Sequence, residues 1–205
     1  MVFESKHPQI KDLVNKIRDI ELPGNLFRKY IGQIASFLWY EASAAEPLVD
    51  KEIKTWIGER RFGFLDEKQY VFIPILRAGL PMLDGILEFL PEAKAGFLAM
   101  KRDERTFTPQ VFYKRLPPLQ NRTAIILDPM VATGNSLKDA LDIIKQESPK
   151  RVISLNIIGA PEGLENVSST HPDTDIYIAQ IDEGLNDKKF IIPGLGDAGD
   201  RAFNT

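Results

Sequence analysis

The run "YVFIPIL", residues 70 to 76, limits the fold more than any other stretch. Seven apolar residues in succession leave no polar face, so a strand made of them must be covered on both sides. Such strands belong to mostly parallel sheets with helices on both faces. The chain supplies partners: "AGFLAM", "TAIIL" (123 to 127), "RVISLNII" and "DIYIAQI" read as further strands, and "KFII" as a short sixth. Helical spacing falls between them, as in Leu137, Ala140, Leu141 and Ile144, and "PEGLENV" reads as a short helix. The expected fold class is α/β, a mostly parallel sheet flanked by helices.

The first 50 residues read differently. Pro8 followed by Ile10, Leu13, Val14 and Ile17 predicts one amphipathic helix, and Phe27, Ile31, Ile34 and Leu38 predict a second. "EIKTWI" alternates like a strand, and residues 58 to 69 read as a polar connection. Residues 101 to 119 are charged, proline-containing and weakly alternating, which predicts a β-hairpin flap standing off the sheet. No linker or repeat interrupts the chain, so residues 1–205 are expected to form a single domain.

Composition narrows the function. A net charge of −3 gives no footprint for nucleic acid or an anionic membrane, and "YIGQIASFLWY" is too short to span a bilayer. The absence of cysteine excludes disulfides and thiolate chemistry, and fits a reducing cytoplasm. "MVFESKHPQI" carries charges where a signal peptide needs an apolar region, so a cytoplasmic protein is expected. His7 and His171 each precede proline in polar surroundings and read as surface turn residues, which leaves a Ser–His nucleophile without its base.

In parallel sheets ligands bind beyond the carboxyl ends of the strands, and three loops there carry chemistry. "ILDPMVATGNS" ends a strand at Asp128 and starts a helix near Asn135, with Gly134 allowing close approach and successive N–H groups suited to an anion. The same residues would equally serve as a strand end and a helix cap. "ILRAGL" offers Arg77 to a diphosphate, or to a structural ion pair. "KRDERT" reads alone as a solvated face. Gly194, Gly196 and Gly199 of "IIPGLGDAGDR" match the dinucleotide fingerprint, but no room remains for the helix and acidic residue it requires.

Taken together, "ILDPMVATGNS", "PILRAG", "KRDERT" and "PGLGDAGDR" resemble, in order, the motifs of the type I phosphoribosyltransferases in their uracil-specific form. The resemblance covers residues 71 to 205 well and implies transfer of phosphoribose from 5-phospho-α-D-ribose 1-diphosphate to uracil, giving UMP and diphosphate in pyrimidine salvage. It implies that Asp128 accepts from the ribose hydroxyls, while Pro129, Met130, Val131, Ala132, Thr133, Gly134, Asn135 and Ser136 complete the donor site. Arg77 and Arg102 would bind the diphosphate, with Mg2+ held mainly through the substrate and no protein ligands assigned to it. Ile191, Gly196, Asp197 and Ala198 would form the uracil pocket, Asp197 also touching the donor. Arg77, Arg102, Asp128 and Asp197 are the catalytic candidates.

The resemblance further implies a homo-oligomer controlled by nucleotides such as GTP and CTP. Phe27, Trp39 and Tyr40 read as exposed residues for a subunit interface, or as core. Asn135 replaces a usual glycine, where tolerance of positive φ would preserve the loop. Phe190 replaces a tyrosine, and Asn204 replaces the glycine of the usual "FGT" ending. The alternative is a nucleotide-sensing regulatory protein with the same site and little turnover.

Overall fold

The computed structural model describes residues 1–102 and 109–205, without the side chains of Lys101 and Arg102. In chain order come strand β1 (Val2–Glu4), helices α1 (Pro8–Arg18) and α2 (Gly24–Ala42), and strands β2 (Val49–Thr55), β3 (Gly58–Phe64) and β4 (Tyr70–Leu76). Helix α3 (Leu80–Phe89) precedes strands β5 (Lys94–Ala95), β6 (Phe97–Arg102), β7 (Pro109–Arg115), β8 (Thr123–Leu127) and β9 (Met130–Val131). Helix α4 (Asn135–Lys145), strand β10 (Arg151–Gly159), helix α5 (Pro161–Thr170), strands β11 (Asp175–Ile181), β12 (Gly184–Leu185) and β13 (Ile191–Ile192), and helix α6 (Ala198–Phe203) complete the order.

The main sheet runs β1-β11-β10-β8-β4-β6-β7. Its pairs are parallel except β6 with β7. The continuous apolar pattern of β4 follows from two cores, one on each face. Tyr70 and Phe72 point with Ile125, Leu127, Ile153 and Leu155 into a cluster filled by α1, α2 and α3. Val71, Ile73 and Ile75 point with Ala124, Ile126 and Ile176 into a second, filled by residues of α4 and α5. Successive strand residues face opposite sides, so both parities must be apolar.

A proline inside a central strand lacks a ladder donor. Phe72 accepts from the Gly96 N–H, and Pro74, two residues on, faces the same neighbour. There β4 changes partner from β5 to β6, so the missing N–H coincides with a break in the ladder.

Several expectations are corrected. Phe27 and Trp39 are fully buried, and Trp39 packs edge-on against Tyr70 and Phe72 with ring centroids 4.7 and 5.1 Å apart. Of the two readings left open for these residues, core holds for Phe27 and Trp39 on α2, and of the three only Tyr40 is exposed. Residues 58 to 64 form β3, which pairs antiparallel with β2 instead of running as a connection. This hairpin packs few residues on the body, so no buried face imposed a readable pattern. His171 is buried at the end of α5, not a surface turn residue, and burial lowers its pKa. "KFII" yields only the two-residue β13, which pairs with β12 outside the main sheet. The hairpin expected at 101 to 119 is present as β6 and β7, and residues 103 to 108 lie outside the described residues.

Among the described residues no helix is long and apolar enough to cross a membrane.

Candidate functional site

Asp128 follows β8 directly, and its main chain is held by the neighbouring strand. Its N–H donates to the Leu155 carbonyl at 3.2 Å, and the Asn156 side chain donates to its carbonyl at 2.7 Å. Ser154 donates in turn to Asn156 Oδ1 at 2.8 Å. Both supporting residues are fully buried. They were legible only as two polar interruptions, two residues apart, in "RVISLNII". Burial pushes the Asp128 carboxyl up to about 7, partly offset by a hydrogen bond from the Met130 N–H. A carboxyl so placed is poised to ionise when a hydroxyl donor arrives.

The loop after Asp128 encloses a cavity of about 80 Å³ lined by Asp128 and by Met130 through Leu137. Gly134 has φ 78° as the N-cap of α4, a left-handed value that glycine accepts without strain. A Cβ there would also lie 2.4 Å from the Gly163 carbonyl, and one at Gly163 would lie 2.1 Å from the Ala132 carbonyl. The loop is thus pressed against the start of α5. Asn135 begins α4 with no positive φ, so that property does not explain the departure from glycine. Its Oδ1 instead accepts from Asn166 of α5 at 3.3 Å. N–H groups of the first turn of α4 carry the positive end of the helix dipole toward this cavity.

Arg77 follows a cis Leu76–Arg77 peptide at the end of β4. Gly79 brings this loop against β8, where a Cβ would meet the Leu127 carbonyl at 2.3 Å. The Arg77 guanidinium donates to Asp200 Oδ1 at 2.8 Å and to Thr205 Oγ1 at 3.2 Å. The ion pair weighed against diphosphate binding is therefore present. Both side chains are about half exposed, at 56% and 51%, and such pairs contribute roughly 0–1 kcal/mol.

Arg77 also meets the C-terminal segment: a Cβ on Gly199 would lie 3.6 Å from its Nη2 and 3.2 Å from Asp197 Oδ1. Asp197 caps α6 by accepting from the Asp200 N–H at 2.8 Å. Ile191 and Ala198 are buried with Leu195 in the core cluster on which Ala78, Met130 and Ala132 pack. Gly196 has φ 80°. Asn204 adopts φ 56° as the C-cap of α6, a left-handed position that glycine and asparagine take most readily. Phe190 is exposed. The Arg102 side chain lies outside the described residues, and its backbone ends β6 opposite Pro109.

Three residues shaping the 191–201 segment escaped sequence reasoning. Arg18 binds both oxygens of buried Asp182, at 2.9 and 2.5 Å, and donates to the Gly194 carbonyl at 2.6 Å. Asp182 accepts from the Gly194 N–H at 3.0 Å. Arg201 donates to the carbonyls of Leu195, Ile17 and Asp19 and lies 4.4 Å over the Phe27 ring. One turn is thus held at its carbonyls by two arginines and at one amide by a carboxylate.

The sequence model of the uracil phosphoribosyltransferase family matches residues 4–205. A uracil phosphoribosyltransferase of Aquifex aeolicus is 45% identical over 203 residues, covering 99% of this chain and 98% of its own. One of Dictyoglomus thermophilum is 43% identical over 206 residues and the full length of both. A solved structure of an Aquifex aeolicus protein superposes with TM-score 0.95 at 45% identity, over 99% of this chain and 98% of its own. A hypoxanthine-guanine phosphoribosyltransferase of L. donovani, 10% identical with TM-score 0.52 over 75% of this chain and 79% of its own, shares the fold alone. Those matches span the strands, the Asp128 loop and the C-terminal segment together, and the chain belongs to the uracil phosphoribosyltransferase family.

Proposed function

We propose that this rim transfers phosphoribose from 5-phospho-α-D-ribose 1-diphosphate to uracil, releasing UMP and diphosphate within pyrimidine salvage. The observation that carries the assignment of roles is the buried carboxyl of Asp128 lining one cavity together with residues 130 to 137. The ribose hydroxyls donate to Asp128, and the amides of Ala132 to Ser136 hold the 5-phosphate. Arg77 exchanges Asp200 for the diphosphate, and Arg102 approaches the same group from the root of the hairpin.

Uracil offers one N–H donor between two carbonyl acceptors. The Ile191 carbonyl takes the N–H, and amides of Gly196 to Ala198 donate to the oxygens. Asp197 lies between base and donor. Cytosine reverses two of these groups, and each buried mismatch costs on the order of 1–3 kcal/mol. Bond breaking at the anomeric carbon leaves an oxocarbenium-like centre, so the chain's contributions are alignment and charge stabilisation.

Among the described residues no three His, Asp or Glu side chains gather to chelate a metal. Magnesium would accordingly take its oxygens mainly from the diphosphate, as suits an ion that dehydrates reluctantly, and would neutralise charge on the leaving group. We also infer a homo-oligomer. The β2–β3 hairpin displays Ile53, Trp56, Ile57 and Phe62, with Trp56 95% exposed, and a lone hairpin is marginal in water. A second copy is the partner that would cover it. Control by GTP or CTP belongs to the same proposal and rests on the family resemblance.

The deciding assay combines uracil, donor and magnesium and follows UMP and CMP. Turnover with uracil and strong exclusion of cytosine support the reading. Nucleotide binding without turnover would favour a regulatory protein instead.

A further inference from the structure

We propose that Asn166 is a positioning residue that aims a backbone N–H of the 128–136 loop into its cavity. The inference rests on the phosphoribosyl reading of that loop. Asn166 lies on α5, behind the loop. Its Nδ2 donates to the Thr133 carbonyl at 2.8 Å and to Asn135 Oδ1 at 3.3 Å. Lys138 fixes which end of the amide faces the loop, because its ammonium donates to Asn166 Oδ1 at 3.2 Å. An ammonium has no acceptor to offer, so the oxygen must face Lys138 and the NH2 must face Thr133.

The consequence follows from peptide geometry. The Thr133–Gly134 bond is trans, and a planar trans peptide carries its C=O and N–H on opposite sides. Drawing the Thr133 oxygen toward α5 turns the Gly134 N–H the other way, and Thr133 and Gly134 both line the cavity. Without that grip the peptide next to left-handed Gly134 is free to rotate, and one rotation presents a carbonyl to an incoming phosphate. The second Asn166 proton meets Asn135, so the side chain that glycine would lack is satisfied from the same source. Asn166 therefore acts through the loop and touches no substrate.

The test compares the full chain with Asn166→Asp and Asn166→Ala. Aspartate keeps the size and the Lys138 contact but offers oxygen where Thr133 needs a donor. In both variants the donor KM and the ribose 5-phosphate Kd should rise about tenfold, the effect of one lost charge-independent hydrogen bond. The uracil KM should stay within about twofold and kcat within about threefold. Unchanged donor KM and ribose 5-phosphate binding would overturn the proposal. So would an equal loss in every parameter accompanied by a lowered Tm, which marks a merely structural residue. Should the unmodified protein bind ribose 5-phosphate but make no UMP, the transfer reading falls, and the Kd comparison still decides on Asn166. If ribose 5-phosphate does not bind the unmodified protein, both fall.

Discussion

Replacing Asp128 with asparagine should stabilise the protein at alkaline pH while abolishing its use of the donor. The carboxyl is pushed up to about 7 by burial, against an ordinary value of 3.8. Between those values the folded chain binds more protons than the unfolded chain, so stability falls as pH rises through that window. At pH 5 the burial of Asp128 destabilises by about 2 kcal/mol, and at pH 8 by about 4 kcal/mol, at roughly 1.4 kcal/mol per unit. About 2–3 kcal/mol of stability is therefore lost between pH 5 and pH 8 through this one group. Asparagine does not ionise, and its oxygen still accepts from Met130. Urea unfolding of both proteins at several pH values reads the effect as a stability difference that widens with pH. A difference that stays constant from pH 5 to pH 8 would refute the reasoning. On the functional side, two hydroxyls bonded to an ionised carboxylate contribute roughly 1.5–3 kcal/mol each, so the variant should lose about 10²–10⁴ in kcat/KM for the donor. In the unmodified protein, donor kcat/KM should fall as pH drops below about 7.

Arg102→Ala should weaken donor use strongly and leave the preference among bases unchanged, with lysine rescuing only part because it lacks the paired fork; kinetics with both substrates check this. Gly163→Ala should displace the Ala132 peptide, since its Cβ would lie 2.1 Å from that carbonyl, and donor KM should rise far more than uracil KM. Asp182→Asn leaves Arg18 without its ion pair at a buried site, so unfolding should require about 3–5 kcal/mol less and uracil KM should rise, both measurable on one preparation. Trp56→Ser should shift sedimentation toward the monomer without altering the fold seen by circular dichroism.

Reading the sequence alone succeeded where the determinants are contiguous. "YVFIPIL" declares a two-sided strand because both parities are apolar, and "ILDPMVATGNS" carries its carboxyl, glycine and helix start within eleven residues. It failed where the partner is remote. Arg18 and Asp182 are 164 positions apart, and neither residue type announces a bidentate pair. Trp39 stays open between interface and core in the sequence because helical spacing cannot say how deeply an aromatic is covered, and the rings of Tyr70 and Phe72 decide for core. The β3 strand is unreadable for the opposite reason, since six of its seven residues are exposed and too little packs on it to impose alternation. Asn135 invited an argument from φ, while its actual support comes from Asn166 on another helix.

In the proposed site the two cores separated by the sheet would each support a different substrate. The loop proposed for the phosphate grows from the α4–α5 side, where Val131, Leu137, Leu164 and Val167 pack together. The segment proposed for the base is rooted on the α1–α2 side, where Ile191, Leu195, Ala198 and Ala202 join Ile17 and Phe27. The two meet where Met130 and Ala132 of the loop pack against the cluster that holds Ile191 and Ala198. On that proposal, substitutions in the N-terminal layer would bear first on the base and those beside α4 and α5 first on the sugar phosphate, with Met130 and Ala132 as the place where one is felt by the other.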